Sequence, residues 1–566
     1  MKEKRNKIKK YKGEKMIDYT EIELENLLLD QLKATEEILI DWECNPYYMD
    51  GRTVSEFWDN VQKAPGVAII GDYDVDGICG TYIMGRSVQK VCPGKKMFLR
   101  IPKRFSEGYG INESIANEIR EKLPIGSVVI TVDNGIKAKE VLENLEKDGY
   151  KVLLTDHHGI KEGEVIPKVT MAFNPSVPEL SEAFDFKKWC GAAVAFKLCE
   201  QMIPKDLVKE LEAFAGLATV ADCMELTGGN WGLVRKAIRL FREKKAPQSL
   251  CNMLMGMNQN PLFVTEDSFG YYLGPCFNAA GRLVDNGGGL VLKYLFAPTG
   301  EKLDQLIEFN NKRKKYRDEE YELVKKEIER SGQTDACPIW VNVPNLHEGI
   351  VGILAGKVAE EYKVPAIVTT TSEKDQNILK GSARTFGDFN IFAYLNNMSE
   401  LFEKMGGHPG AAGLSIHKDN FEKAKTYQIS KEVFHLQAKP KQELYIYPEA
   451  IPSISYILSK YRPYGEGNPE PTFILDIDLN KEKGFVLLGK QGEHLVYDNQ
   501  KYKITHWSHV PNTLSNKAYF RSYGTIGETN YKGVETPTYN IENIEDILED
   551  KENSKERINE IEEKIR

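Results

Sequence analysis

The sequence predicts an α/β protein with four parts in order: a doubly wound parallel-sheet lobe, a long connecting helix, a second α/β lobe and a β-rich C-terminal region. Three observations carry that prediction. The first is alternation. Short apolar runs end in Gly or Asp three times over: GVAII before GDYDVDG, SVVIT before VDNG, and KVLLT before DHHG. Each leads into a helix-like stretch such as ICGTYIMGRSVQK or IKAKEVLENLEKDG. Buried strands alternating with helices imply a parallel sheet covered on both faces. The second is the stretch 299–332, which is charged, free of Pro and carries apolar residues at Leu303, Leu306, Ile307, Leu323, Val324 and Ile328; it reads as a helix between lobes. PIWVNV, IVGILAGKVAEEY and PAIVTTT follow as a second strand–helix–strand unit. The third is a change of texture from residue 439 on, where short alternating segments (FILDIDL, KGFVLLG, HLVYD, KYKITHW) suggest a small barrel or sandwich.

Bulk properties narrow the function classes. A chain of 566 residues exceeds one core and divides into several domains. Apolar residues at 41% and charged residues at 28% describe an ordinary globular protein, and no apolar run is long enough to span a bilayer as a helix. The Lys-rich first fifteen residues lead into no apolar stretch, so they read as a solvated or nucleic-acid-touching arm, not a secretory signal. Nine Cys stand singly with no CxxC pair, which argues against structural zinc and disulfides and for a reducing cytoplasm. A formal net charge of −9 leaves room for a local basic groove.

Chemistry-bearing residues gather where strands end. In open parallel sheets, ligands lie beyond the carboxyl ends of the strands. Asp72, Asp74 and Asp76 follow the first apolar run, Asp133 the second, and Asp156, His157 and His158 the third; Asp222 follows AGLATV. One Asp after a strand is ordinarily a turn residue or a helix cap. Three alternating Asp are different, because an extended DYDVD segment aims all three to one face. Four or more carboxylates at one rim repel each other unless cations neutralise them. Oxygen donors with an imidazole suit Mn²⁺ or Mg²⁺ better than a thiolate metal, and Asp133 can bridge two such ions. A pair of ions can bind a phosphodiester, activate a water and stabilise the leaving oxygen.

GDYDVDG (71–77), VDNG (132–135), TDHHG (155–159) and VADCMEL (220–226) resemble the four motifs of the DHH phosphoesterase superfamily, in order. GSARTF (381–386) and GGHPGAAG (406–413) resemble its accompanying DHHA1 lobe. Within the superfamily, IPKRFSEGYG (101–110), GPCFNAAGR (274–282), LHEGIVGILAGKV (346–358) and PYGEGNPEPTF (463–473) are similar to elements of RecJ exonucleases. The resemblance covers residues 56–475; it departs at Leu346, where an aromatic is expected, and at Cys276, where a basic residue is expected.

The resemblance implies a domain series: 1–55 a basic arm and helical lead-in, 56–235 the DHH catalytic domain, 236–331 a helical connector, 332–438 the DHHA1 substrate-binding domain, 439–540 an OB-like nucleic-acid-binding domain, and 541–566 a charged helical tail. It implies two divalent cations, Mn²⁺ or Mg²⁺, on Asp72, Asp74, Asp76, Asp133, His157 and Asp222, with Asp133 as the bridge. His158 is expected to face the scissile phosphate and Asp156 to orient its neighbours. Arg104, Ser382 and Arg384 are expected at a terminal 5′-phosphate, Arg282 at a phosphate near the cut, and Gly407 with His408 in a Gly-rich loop against substrate. Lys501, Tyr502, Lys503, His506 and Trp507 are candidates for strand contacts in the OB-like region. The implied activity is metal-dependent 5′ to 3′ hydrolysis of single-stranded DNA to 5′-mononucleotides in repair or recombination. A single-strand-binding protein or helicase is the implied partner, and no membrane is involved. Two other readings stay open: a short-oligonucleotide or cyclic-dinucleotide phosphodiesterase, and a non-catalytic replication scaffold.

Overall fold

The computed structural model describes residues 8–12, 15–19, 21–44, 47–160, 163–429, 443–478, 484–488, 494–507, 519–531 and 534–545. Two compact units emerge, and they do not follow chain order. One gathers Met1–Tyr47, Cys223–Arg242 and Lys441–Arg566; the other gathers Tyr48–Asp222 and Glu243–Pro440.

The first unit begins with a hairpin, β1 (Ile8–Lys12) and β2 (Lys15–Tyr19), where the sequence suggested a solvated arm. The hairpin exists because β1 pairs with a strand from the far end of the chain, as described below, which satisfies backbone groups that an isolated arm would leave to water.

The second unit holds the predicted parallel sheet: β3 (Gly66–Ile70), β4 (Lys96–Arg100), β5 (Val128–Val132), β6 (Lys151–Thr155) and β7 (Met171–Phe173), in the order β4-β3-β5-β6-β7 and parallel throughout. β3 and β5 are buried along their whole length, which is why they read as continuous apolar runs. Ala68, Ile70, Val129, Val152 and Leu154 pack on Ile115, Ile119, Leu142 and Leu145 of the helices Glu113–Lys122 and Lys139–Lys147. The helices Val75–Val91, Gly191–Cys199 and Lys205–Ala221 pack together as a second group. In register, Ile70 sits beside Arg100 and Thr131, and Val132 beside Thr155, so the loops after β3, β5 and β6 open on one rim.

The expected connector loses residues 236–242 to the first unit, and from Glu243 on it holds the helices Gln248–Gly256, Gly274–Leu283, Gly287–Phe296 and Gly300–Arg330. The last has 31 residues and is about 46 Å long. Its charged surface hides a stripe of buried residues, Leu306, Asn310, Arg313, Tyr321, Val324 and Ile328. Beyond it lie β8 (Ile339–Asn342), β9 (Ala366–Thr371), β10 (Ile378–Arg384), β11 (Phe402–His408) and β12 (Ala411–His417), in the order β11-β12-β10-β9-β8. Only β8 and β9 are parallel. The helix Val351–Tyr362 covers one face through Leu354, Ala355 and Val358, and the helix Ile391–Asn396 helps cover the other through Ile391 and Leu395.

The first unit is completed by β13 (Glu443–Tyr445), β14 (Thr472–Asp478), β15 (Phe485–Leu488), β16 (His494–Asp498), β17 (Lys503–His506), β18 (Tyr519–Tyr531) and β19 (Val534–Glu545). With β1 and β2 they make one nine-stranded sheet, β15-β16-β17-β19-β18-β14-β13-β1-β2. β19 runs five residues into the segment expected to be a helical tail, because Ile541 is buried and Ile544 packs on the same core; residues 546–566 of that expected tail lie outside the described residues. Residues 223–235, expected in the catalytic domain, belong to this unit instead: Trp231 is buried and its indole N–H donates to the Tyr461 carbonyl at 3.1 Å. GEGNPEP is a folded turn: the Asn468 amide donates to the Tyr461 and Pro463 carbonyls, and Gly467 has φ +72°.

The strand-contact candidates divide. Tyr502 and His506 are buried, and His506 Nδ1 lies 3.0 Å from the Ile541 carbonyl, so neither offers a face to a base. Lys503 lies 3.4 Å from Asp498, while Trp507 stays exposed. Among the described residues, no helix is long and apolar enough to cross a membrane.

Candidate metal centre and anion pocket

The three Asp after β3 reach the rim by different routes. The strand ends at Ile70 and a helix begins at Val75, so DYDVD is not extended and the alternation argument does not hold. Asp72 lies in the loop and accepts the Gly110 N–H at 3.2 Å. Asp74 caps the helix Val75–Val91, accepting the N–H groups of Asp76 and Gly77 at 3.0 and 3.2 Å. Asp76, in the first turn, accepts the N–H groups of Gly191 and Ala192 at 2.6 and 2.7 Å, where the next helix begins. Backbone donors at two helix N-termini thus hold two carboxylates where their own charges would drive them apart.

Asp133 follows β5 with φ +61°, a left-handed conformation that Asp and Asn adopt more readily than most residues. Its side chain is buried and its Oδ1 accepts no hydrogen bond, although His157 Nε2 lies 3.1 Å away without an aligned donor. His157 Nε2 is also 3.5 Å from Asp76 Oδ2 and 3.5 Å from Asp222 Oδ2. Asp222 closes the helix Lys205–Ala221. Three overlapping groups have ligand atoms within 4.8 Å of one another: Asp76 with His157 and Asp222; Asp72 with Asp74 and Asp133; and Asp133 with both His157 and His158. Every residue expected as a ligand is in this cluster.

Electrostatics makes the cluster costly when empty. Burial pushes the carboxyls of Asp72, Asp74 and Asp133 up, and the neighbouring acids push further. Burial, with Asp76 and Asp74 beside it, pushes Asp222 up to about 8. Burial lowers His157 and keeps it the neutral ligand a metal needs. A buried carboxylate oxygen without a donor, inside a mixed oxygen and imidazole set, fits a hard divalent cation.

Asp156 spends its oxygens on local bonds: the N–H groups of Ile136, His157 and His158 at 2.9, 2.8 and 3.1 Å, and His158 Nδ1 at 2.8 Å. Burial alone would lower His158, but the bond to Asp156 and the charges of Asp156, Asp222 and Asp76 raise it to about 9. Its side chain remains 38% exposed, the one imidazole of the pair open to a substrate.

Beside the acids lies a group of guanidiniums. Arg282 donates to the Gly349 carbonyl at 3.2 Å, Arg384 to Ser382 Oγ and the Ala383 carbonyl at 2.6 and 2.8 Å, and Arg313 to Asn310 Oδ1 at 2.9 Å, all neutral acceptors. Arg104 stacks its guanidinium 4.7 Å from the Tyr73 ring centre. Burial lowers Arg282 to about 9, and the charges of Arg104, Arg384 and Arg313 push the same way. Arg384 lies over the start of the helix Val351–Tyr362: a Cβ at Gly352 would stand 2.9 Å from its Nη2. His408, at the end of β11, is lowered by burial and by Arg384 and His158. Gly407 is required by its partner strand, since a Cβ there would stand 2.3 Å from the Ala411 carbonyl oxygen. Cys276 and Leu346, the two departures, are core residues.

Sequence reasoning missed four contributors. Tyr109 donates from its hydroxyl to the Asp133 carbonyl at 2.7 Å and lies 3.2 Å from His158 Nδ1; it stands inside IPKRFSEGYG, where only Arg104 carries a sequence signal. Asn134 ties the Asp133 loop together, donating to the Ile70 and Val132 carbonyls at 2.9 Å each and accepting the Ile111 N–H. Gly191 and Ala192 have no signal beyond an apolar run.

Known proteins share the fold and the domain series. The family model described as "DHH family, N-terminal domain" matches residues 66–224, and that described as "DHHA1 domain" matches residues 338–431. The single-stranded-DNA-specific exonuclease RecJ of Bacillus subtilis (strain 168) is 31% identical over 384 residues, 66% of this chain and 47% of that protein, so the match spans about half that relative's length. The same-named protein of Escherichia coli (strain K12) is 27% identical over 453 residues, 75% of this chain and 77% of that one. The crystal structure of RecJ in complex with Mn²⁺ from Thermus thermophilus superposes with TM-score 0.69 at 21% identity, covering 92% of this chain and 78% of that one.

Proposed function

We propose that this chain, which belongs to the DHH superfamily and is RecJ-like within it, is a metal-dependent exonuclease that degrades single-stranded DNA from the 5′ end to 5′-mononucleotides. The observation that carries the reading is the cage of Asp76, Asp133, His157 and Asp222, with an undonated oxygen on Asp133, next to arginines bonded only to neutral groups. Asp76, His157 and Asp222 would hold one cation, Asp72 and Asp74 a second, and Asp133 both. Two Mn²⁺ or Mg²⁺ ions supply charge neutralisation, polarisation of the phosphodiester and an activated water.

The chain's own groups do the rest. Arg104, Ser382 and Arg384 grip the 5′-phosphate, and Arg282 steadies the next phosphate; guanidiniums suit the task because they offer paired donors in one plane. Asp156 fixes the His158 ring, and His158, the more exposed of the two imidazoles, faces the phosphate undergoing attack. His408 borders the same space from the Gly-rich loop. The oxygen of a water bonds to phosphorus, the P–O bond to the 3′ oxygen of the terminal nucleotide breaks, that oxygen takes up the proton the water gives up, and the next nucleotide keeps its 5′-phosphate. Each cycle thus regenerates the end that the arginines hold. A single-strand-binding protein or helicase would supply such ends.

The test is digestion of end-labelled oligonucleotides in Mn²⁺ and in EDTA. Mononucleotides should appear from 5′-phosphorylated single strands, more slowly from 5′-hydroxyl strands and from duplex, and not in EDTA. Cleavage of dinucleotides but not of long strands would refute the exonuclease reading. Tyr109→Phe should lower kcat about three- to tenfold, the worth of one neutral hydrogen bond, and leave the melting temperature nearly unchanged; unchanged kcat would remove Tyr109 from the site.

A further inference from the structure

Arg104 sits on a loop, and the loop is not held by Arg104's own side chain. Asp285, just after the helix Gly274–Leu283, is bonded to three successive residues of that loop. Its carbonyl accepts the Arg104 N–H at 3.1 Å. Its Oδ1 accepts the Phe105 and Ser106 N–H groups at 2.9 and 3.0 Å, and its Oδ2 accepts the Ser106 hydroxyl at 2.6 Å. A second clamp grips the flanks: Arg100 pairs with Glu107 and Glu118 at 2.6 and 3.0 Å, and Glu107 accepts the Lys103 N–H at 2.7 Å. Asp285 lies three residues beyond Arg282, whose guanidinium opposes that of Arg104. One residue therefore joins the Arg282 helix to the Arg104 loop.

We propose that Asp285 is a positioning residue that holds Arg104 close to Arg282 and Arg384 and so sets the preference for a phosphorylated 5′ end. Like charges gathered without an anion separate if their supports allow. Asp285 spends three backbone and one hydroxyl bond against that separation, so the pocket is formed before a phosphate arrives. Affinity gained this way comes from ordering already done, not from new contacts. The carboxylate faces loop amides and the Ser106 hydroxyl, and its part is to fix Arg104, not to touch DNA. The inference rests on Arg104 as a 5′-phosphate ligand.

The experiment is steady-state digestion of single strands with 5′-phosphate or 5′-hydroxyl ends by the full chain in Mn²⁺, comparing wild type, Asp285→Ala, Asp285→Asn and Ser106→Ala. Asp285→Ala should raise KM for the phosphorylated strand about tenfold, the order expected for loosening one ordered loop, with kcat within about twofold and KM for the hydroxyl strand nearly unchanged. Asp285→Asn keeps a carbonyl for the two amides and should recover most of the loss. Ser106→Ala removes only the hydroxyl bond and should give a smaller rise confined to the phosphorylated end; it decides the matter if Asp285→Ala melts early. Unchanged KM in Asp285→Ala, or equal losses on both ends in Ser106→Ala, overturns the proposal. Wild type that releases no nucleotide from either end instead refutes the exonuclease reading, so the two failures are distinct.

Discussion

Asp133→Asn should cut single-strand hydrolysis at least about a thousand-fold on the proposed reading, in which Asp133 would be shared by both ions and would carry several kcal/mol of transition-state charge stabilisation. The same change should raise the melting temperature of the metal-free protein by about 2 °C at pH 8. The two effects share a cause. Asp133 is buried among Asp76, Asp74, Asp222 and Asp72, and its ionised form is opposed first by burial and then by those charges. A raised carboxyl costs the fold stability as pH climbs from its ordinary range, near 3.8, towards the raised value, so an uncharged amide helps at pH 6, helps at least as much at pH 8, and adds nothing below about pH 4. Asparagine is the informative substitute because φ +61° suits it, whereas alanine would add backbone strain and blur the comparison. Melts in EDTA at pH 6 and pH 8, with Mn²⁺ digestion assays, measure both effects. Wild-type activity in Asp133→Asn would defeat the metal assignment; a lower melting temperature would defeat the account of repulsion.

The second large effect is at Gly191. A Cβ there would stand 2.5 Å from Asp133 Cβ, 2.8 Å from Asp133 Cα and 3.0 Å from Asp76 Oδ2. Neither neighbour can yield cheaply, since one is the Asp133 backbone and the other is held by the Gly191 N–H itself. Gly191→Ala should therefore cost about 2 kcal/mol in denaturant unfolding. It should also raise the Mn²⁺ concentration needed for half-maximal rate about tenfold or more, as Asp76 loses its pair of amide donors. Wild-type stability and Mn²⁺ dependence together would show that the helix start can shift without disturbing Asp76.

The parallel sheet and the acids at its rim were legible because β3, β5 and β6 are nearly pure apolar runs, each followed within two residues by an acid. The long helix was legible from length and the lack of Pro. What escaped were features that depend on meetings between distant segments. Asp74 and Asp76 converge through two helix N-termini and not through an extended strand, and no local spacing announces the helix Gly191–Cys199 as the donor. Tyr109 reaches Asp133 across 24 residues. The N-terminal hairpin escaped for a related reason: Lys-rich residues carry no strand signal until β13 offers them a ladder. Residue 541 onward reads as helical because Glu and Asp dominate, while the spaced Ile541 and Ile544 that seat the strand are a minority.

The nine-stranded sheet has a bearing on how the polypeptide is made. β1 leaves the ribosome before every other described strand, yet its neighbour other than β2 is β13, more than four hundred residues later. The hairpin must therefore wait, without its ladder, while the two α/β lobes emerge and fold. Nascent chains stalled just before Glu443 should expose Ile8–Lys12 to a protease that spares them once β13 and β14 have been translated.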